Sequence, residues 1–181
     1  IIDGNGRLNW SQVKLRSDRL ALKFLELGIK HDEVIVCQLP NTSDFIIVRL
    51  ALLKAGILAC QPATTLRYKE MEDILERTEA VGVVIPWAFR GFDYFEMIQK
   101  LQPKLPKLKF IFISGEKVPE GTIALNQIYE HSSETGYSAA YLAKTKYNFC
   151  ELTHIAVTSG TTGVPKLVNQ SDAAIKLSAK D

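Results

Sequence analysis

A chain of 181 residues that is 46% hydrophobic can bury the core of one globular domain. Its net charge of +2 leaves no basic footprint of the kind a nucleic-acid binder carries, and no apolar run reaches the ~18–20 residues of a membrane span. Even the most apolar stretch, residues 45–59, is interrupted by Arg49 and Lys54.

Asp3-Gly4-Asn5-Gly6 reads as a hairpin turn already under way at the first residues. Ser11 is the expected N-cap of a helix whose apolar positions Val13, Leu20, Phe24 and Leu27 keep helical spacing and which Gly28 stops. Residues 34–39 predict a strand, Pro40-Asn41-Thr42-Ser43 a turn, and the following stretch to Lys54 a helix apolar nearly all round and therefore buried on more than one side, ending at Gly56. Then come a strand over 57–61, a helix over 69–78 with Met71, Ile74 and Leu75 inward, and a strand over 81–86. A helix over 92–102, with Asp93 and Tyr94 capping or anchoring its start, and a strand over 110–114 continue the alternation. Strands alternating with helices of about ten residues predict an α/β fold, a layered sheet of parallel strands with crossover helices. Segment 115–151 has no clear period, and 132–136 reads as an exposed loop.

Cys37, Cys60 and Cys150 show no C-x-x-C spacing, and two of them sit in apolar β-like runs, which points to buried free thiols in a reducing compartment, the cytoplasm. His31, His131 and His154 have no cysteine or carboxylate at ligand spacing, so no metal site is expected. Lys100, Lys104, Lys107 and Lys109, interleaved with Pro103 and Pro106, read as a solvated connection. Arg67 and Glu70 read as a salt bridge at a helix start, and Trp10 and Trp87 as core or interface aromatics.

The most informative string is Thr158-Ser159-Gly160-Thr161-Thr162-Gly163-Val164-Pro165-Lys166, directly after the apolar stretch 154–157. The glycines let backbone approach a ligand, the hydroxyls of Thr158, Ser159, Thr161 and Thr162 can donate to phosphate oxygens, and Lys166 adds a point charge. Pro165 before the lysine and β-prone Leu167-Val168 after it differ from a Walker loop, which opens a helix, and favour a strand, loop, strand hairpin. The alternative is a Ser/Thr/Gly-rich turn with no ligand.

These nine residues resemble the signature loop of the acyl-adenylate-forming ligases, the AMP-binding superfamily. Further stretches resemble the family in the same order: Leu8-Asn9-Trp10-Ser11, the strand end Val34 to Asn41, Lys54 to Pro62, and Arg67 with Glu70. Gly91-Phe92-Asp93-Tyr94 is similar to 2,3-dihydroxybenzoate-AMP ligases and to some acyl-CoA ligases, and Lys166-Leu167-Val168 is similar to the aryl-acid subgroup. One departure stands out. Where relatives end the hairpin with Thr-His after Pro-Arg, this chain has Asn169-Gln170-Ser171-Asp172, and the family histidine lies close to the substrate.

The resemblance implies ATP-dependent adenylation of a carboxylic acid, an aryl acid such as 2,3-dihydroxybenzoate, giving acyl-AMP and pyrophosphate with Mg²⁺ bridging phosphate oxygens. The acyl group then passes to coenzyme A or to the phosphopantetheine arm of a carrier protein. An acyl-CoA ligase for an aliphatic or alicyclic acid, and a non-catalytic binding remnant, are the alternatives. In the family the loop holds the β- and γ-phosphates, so Thr158, Ser159, Gly160, Thr161, Thr162, Gly163 and Lys166 are the expected ATP phosphate-binding residues. The adenine, acid and adenylation-lysine sites lie downstream in relatives. Residues 1–181 are therefore expected to form a partial N-terminal part of the large domain, with no catalytic residue of its own and no adenylation activity alone.

Overall fold

The computed structural model describes residues 1–4, 6–115, 118–131, 141–148, 150–158 and 165–178. Strands β1 (Ile2–Asp3) and β2 (Gly6–Arg7) form the expected antiparallel hairpin. Helix α1 (Trp10–Glu26) begins two residues earlier than an N-cap at Ser11 predicts: Asn9 is the cap, its side chain accepting from the Gln12 N–H at 2.9 Å while the Gln12 side chain accepts from the Asn9 N–H at 2.9 Å. This reciprocal box satisfies two N-terminal donors, which Ser11, already inside the helix, cannot do.

The chain then alternates through β3 (Val34–Cys37), α2 (Ser43–Ala55), β4 (Leu58–Cys60), α3 (Tyr68–Arg77) and β5 (Gly82–Pro86). The expected helix over 92–102 is shorter at its front. Phe92–Asp93 is strand β7, paired with β6 (Ala88–Phe89), and α4 covers Tyr94–Leu101. Asp93 caps α4 by accepting from the Glu96 N–H at 2.8 Å. Strand β8 (Phe110–Ser114) is followed by elements that carry no readable period because they are short: β9 (Ile123–Ala124), α5 (Leu125–Glu130) and α6 (Tyr141–Thr145). The loop expected at 132–136 lies outside the described residues. Strands β10 (Leu152–Val157) and β11 (Leu167–Ser171) and helix α7 (Asp172–Ser178) are the last elements of the described residues.

Among the described residues, seven strands form one sheet in the order β11-β10-β4-β3-β5-β8-β9, parallel throughout except for the β10–β11 hairpin. Strand side chains alternate between two cores, as a pleat of period two requires. Ile35 and Cys37 of β3 face a core with Phe24, Ile47, Leu52 and Phe112, under α1, α2 and α5. Val34 and Val36 face the opposite core with Met71, Ile74, Tyr94 and Met97, under α3 and α4. Helix α2 on one face and α3 on the other create a switch of crossover side at β3 and β4. The α/β layering with crossover helices is thus realised.

Cys37 and Cys60 fall on opposite faces of the sheet. Burial pushes the Cys60 thiol up to about 12 and raises that of Cys37, so both behave as small hydrophobes. Cys150, which lies outside those apolar runs, is exposed. Trp10 (71% exposed) and Trp87 (38% exposed) are not core aromatics: Trp10 opens α1 at the surface and Trp87 follows the last residue of β5. Among the described residues no helix is long and apolar enough to cross a membrane.

Candidate functional site

Val157 pairs with Leu167 and Ala156 with Val168, so the β10–β11 hairpin runs up to the Ser/Thr/Gly-rich loop. Both Val157 and Leu167 pack against the α3/α4 core. At the mouth of the loop the Thr158 N–H donates to the Lys166 carbonyl at 3.0 Å, and the Lys166 N–H donates to Thr158 Oγ1 at 2.9 Å. Thr158 and Lys166, far apart in the motif string, are thereby brought face to face. Lys166 is exposed. Ser159, Gly160, Thr161, Thr162 and Gly163 lie outside the described residues.

The base of the hairpin is tied down separately. Arg49 of α2 donates from Nη1 to the Thr153 carbonyl at 2.8 Å and from Nη2 to Asp172 Oδ1 at 3.5 Å. Thr153 Oγ1 donates to the same Asp172 oxygen at 2.9 Å. The Asp172 carboxylate therefore joins α7 to α2 and β10. Arg67 and Glu70 make no side-chain ion pair of the kind expected. Glu70 Oε2 accepts from the Arg67 N–H at 3.2 Å as a cap of α3, while the Arg67 guanidinium donates to the carbonyls of Thr64 and Leu66 and stacks over the Phe92 ring at 4.1 Å. A planar guanidinium fits a ring face and two carbonyls better than it fits a carboxylate already used by backbone.

Beside the hairpin, a crevice of about 600 Å³ opens at the carboxyl ends of β3, β4 and β10. Pro40, Asn41, Gln61, Pro62, His154 and Val157 line it. Ligands in open α/β sheets bind at this edge, where successive crossovers change face. Sequence reasoning did not place these walls in a site, although Pro40 and Pro62 each directly follow an expected strand and so mark carboxyl-end turns.

His154 is half-buried in the crevice wall, and burial, then the Arg49 charge, lowers its pKa to about 4. Its Nδ1 is buried with no hydrogen-bond partner among the described residues. The folded value lies below the ordinary 6.5, so the unfolded chain takes up the proton first. Stability is then complete above pH ~6.5 and falls as the pH drops towards 4; linkage allows at most ~3 kcal/mol, and partial exposure of the ring brings this to ~1–2 kcal/mol. Urea unfolding at pH 7 and pH 4.5 should show that loss, and His154→Gln should flatten it.

A mostly parallel sheet, with a crevice at its carboxyl edge and a lysine-bearing hairpin beside it, defines an α/β domain with a candidate site at that edge. The chain belongs to the AMP-binding enzyme family, which it matches over residues 1–179. It is 32% identical over 165 residues to a 2,3-dihydroxybenzoate-AMP ligase of Bacillus subtilis, covering 91% of this chain and 29% of that one. It is 27% identical over 183 residues to a mitochondrial medium-chain acyl-CoA ligase of Mus musculus, covering 92% and 29%. Its fold matches the crystal structure of an anthranilate CoA ligase in complex with anthranoyl-AMP with a TM-score of 0.83 at 20% identity, covering 98% of this chain and 32% of that one. The chain thus spans about three tenths of the length of the relatives it matches.

Proposed function

We propose that this chain supplies the phosphate-gripping part of an ATP-dependent ligase that joins a carboxylic acid to AMP with release of pyrophosphate. The observation that carries the reading is the clasp between Thr158 and the Lys166 backbone, which sets the exposed Lys166 beside the carboxyl end of β10. Attack of a carboxylate on the α-phosphorus brings two anions together, so charge neutralisation and positioning set the barrier. In this role the backbone amides and hydroxyls of residues 158–163 and the Lys166 ammonium hold the β- and γ-phosphates as they depart. Mg²⁺, which the family reading implies, would enter with the nucleotide and help to neutralise its phosphate charge.

An aryl acid such as 2,3-dihydroxybenzoate is the favoured substrate, supported by Lys166-Leu167-Val168 and by the 32% identity to an aryl-acid ligase. The likeness to a medium-chain acyl-CoA ligase supports the second reading, an acyl-CoA ligase for an aliphatic or alicyclic acid. Coenzyme A or a phosphopantetheine carrier would accept the acyl group. Two buried free thiols fit a reducing compartment such as the cytoplasm.

ATP–pyrophosphate exchange by an enzyme containing this chain, assayed across aryl, alicyclic and fatty acids, tests the reading. Exchange should depend on an aryl acid, and Lys166→Ala should lower kcat/KM for MgATP ~10²-fold, as loss of one charged donor on a transferring phosphate does. Residues 1–181 alone should form no acyl-AMP. Exchange only with aliphatic or alicyclic acids would select the second reading, and none with any acid would remove the adenylation assignment.

A further inference from the structure

Lys166 enters the chain through a single peptide unit that is gripped at both ends. Its nitrogen side, the Lys166 N–H, donates to Thr158 Oγ1 at 2.9 Å. Its oxygen side, the Pro165 carbonyl, accepts from Nη1 of Arg77 at 3.1 Å. Because the peptide is planar, fixing both its N–H and its C=O fixes the plane from which the Lys166 Cα departs. Pro165 is buried and has no N–H of its own, so its carbonyl is the one polar backbone group that the residue offers.

Arg77 is well built to hold that carbonyl. It sits in the last turn of α3, one turn after Asp73, whose Oδ2 accepts from the same Nη1 at 3.0 Å and aims the guanidinium. Helix α3 is itself anchored by Met71, Ile74 and Leu75 in the core against which Val157 and Leu167 also pack. The arginine and the hairpin are therefore referenced to the same rigid body. Asp73 and Arg77 keep partly exposed side chains, 32% and 43%, so the ion pair by itself adds little stability and the contact to Pro165 is the more informative one.

We propose that Arg77 is a positioning residue for Lys166: by holding the Pro165–Lys166 peptide plane it fixes the Cα from which the lysine side chain reaches the phosphate oxygens of a nucleoside triphosphate. This rests on the phosphate reading of the loop. Arg77 does not touch the ligand; it acts through the peptide that carries the lysine.

Two readouts on the full chain test it. Hydrogen exchange of the Thr158 and Lys166 amides, followed by NMR without ligand, reports the order of the clasp; a titration with inorganic tripolyphosphate, followed by the same amides, reports binding. Arg77→Met should speed exchange at both amides ~10-fold and weaken tripolyphosphate binding ~3- to 10-fold, the scale of one lost hydrogen bond. Arg77→Lys, which keeps a donor, should recover part of both effects. In a Lys166→Ala background Arg77→Met should add nothing to the binding loss, because its effect passes through the lysine. A wild-type chain that does not bind tripolyphosphate, or one whose binding Lys166→Ala leaves unchanged, would overturn the phosphate reading and the proposal with it. Normal binding that Lys166→Ala abolishes while Arg77→Met changes neither exchange nor affinity would overturn the positioning role alone, as would fully additive losses.

Discussion

Gly56→Ala should destabilise the fold by ~3 kcal/mol or more, which for a chain of this size lowers the thermal midpoint by ~6–12 °C. Gly56 ends α2 in the left-handed conformation, at φ 71° and ψ 34°, and its N–H donates to the Leu52 carbonyl. A side chain there would strain the backbone by ~1 kcal/mol on its own. The larger effect is steric. A Cβ at this position would run into the carbonyl oxygen of Thr145 and the ring of His31. The Thr145 backbone cannot easily yield, because its hydroxyl donates to the Lys54 carbonyl at 2.8 Å. Gly28 provides the control: its φ is 76°, but a Cβ would meet nothing within 4 Å, so Gly28→Ala should cost only the ~1 kcal/mol of conformational strain. Thermal unfolding of the two variants side by side separates strain from collision, and equal midpoints would contradict the collision at Gly56.

The second large effect is expected at Asp44, which is 5% exposed in the first turn of α2. Its Oδ1 accepts from the Tyr129 hydroxyl at 3.0 Å and its Oδ2 accepts from the Ser114 hydroxyl. The carboxylate thus ties α2 to α5 and to the end of β8. Burial, then the Asp44 charge, raises the Tyr129 pKa well above its ordinary value, so the phenol stays protonated and keeps donating. Asp44→Ala removes the acceptor from two hydroxyls at once and should cost ~2–4 kcal/mol in urea unfolding, because an orphaned buried donor costs ~1–3 kcal/mol. Adding Tyr129→Phe to Asp44→Ala should lower stability by less than Tyr129→Phe does alone, since one of the orphans is then gone. Additive losses in this pair would mean that the hydroxyl and the carboxylate do not depend on each other.

The hairpin that carries the candidate site was legible because β-prone residues flank a Ser/Thr/Gly-rich turn on both sides, a local signal. The parallel layering was legible for the same reason, from alternating strand and helix periods. The cap at Asn9 was also written locally, as Asn9 with Gln12 three residues later, but Ser11 competes as a capping residue type and only tertiary placement of the first turn decides between them. Elements β9, α5 and α6 are too short to display a period. Contacts that join distant segments were not readable at all. Nothing in the residues near Arg77 points to Pro165, and nothing near Arg49 points to Asp172; those pairings exist because the sheet sets β10 beside β4 and lays α2 and α3 on its two faces. The crevice walls are of the same kind, being turns from three separate strands that only the strand order brings together.

That strand order also bears on the sequence of events by which the chain acquires its shape. Strands β3, β4, β5 and β8 meet through single crossover helices, whereas β10 joins the sheet by pairing His154 with Ala59 and Ile155 with Cys60, roughly a hundred residues back along the chain, so its closure carries the largest entropic cost of the sheet. The hairpin should therefore dock last, onto a sheet whose other strands are already assembled, and the lysine-bearing mouth should be the final part of the molecule to gain protection during refolding.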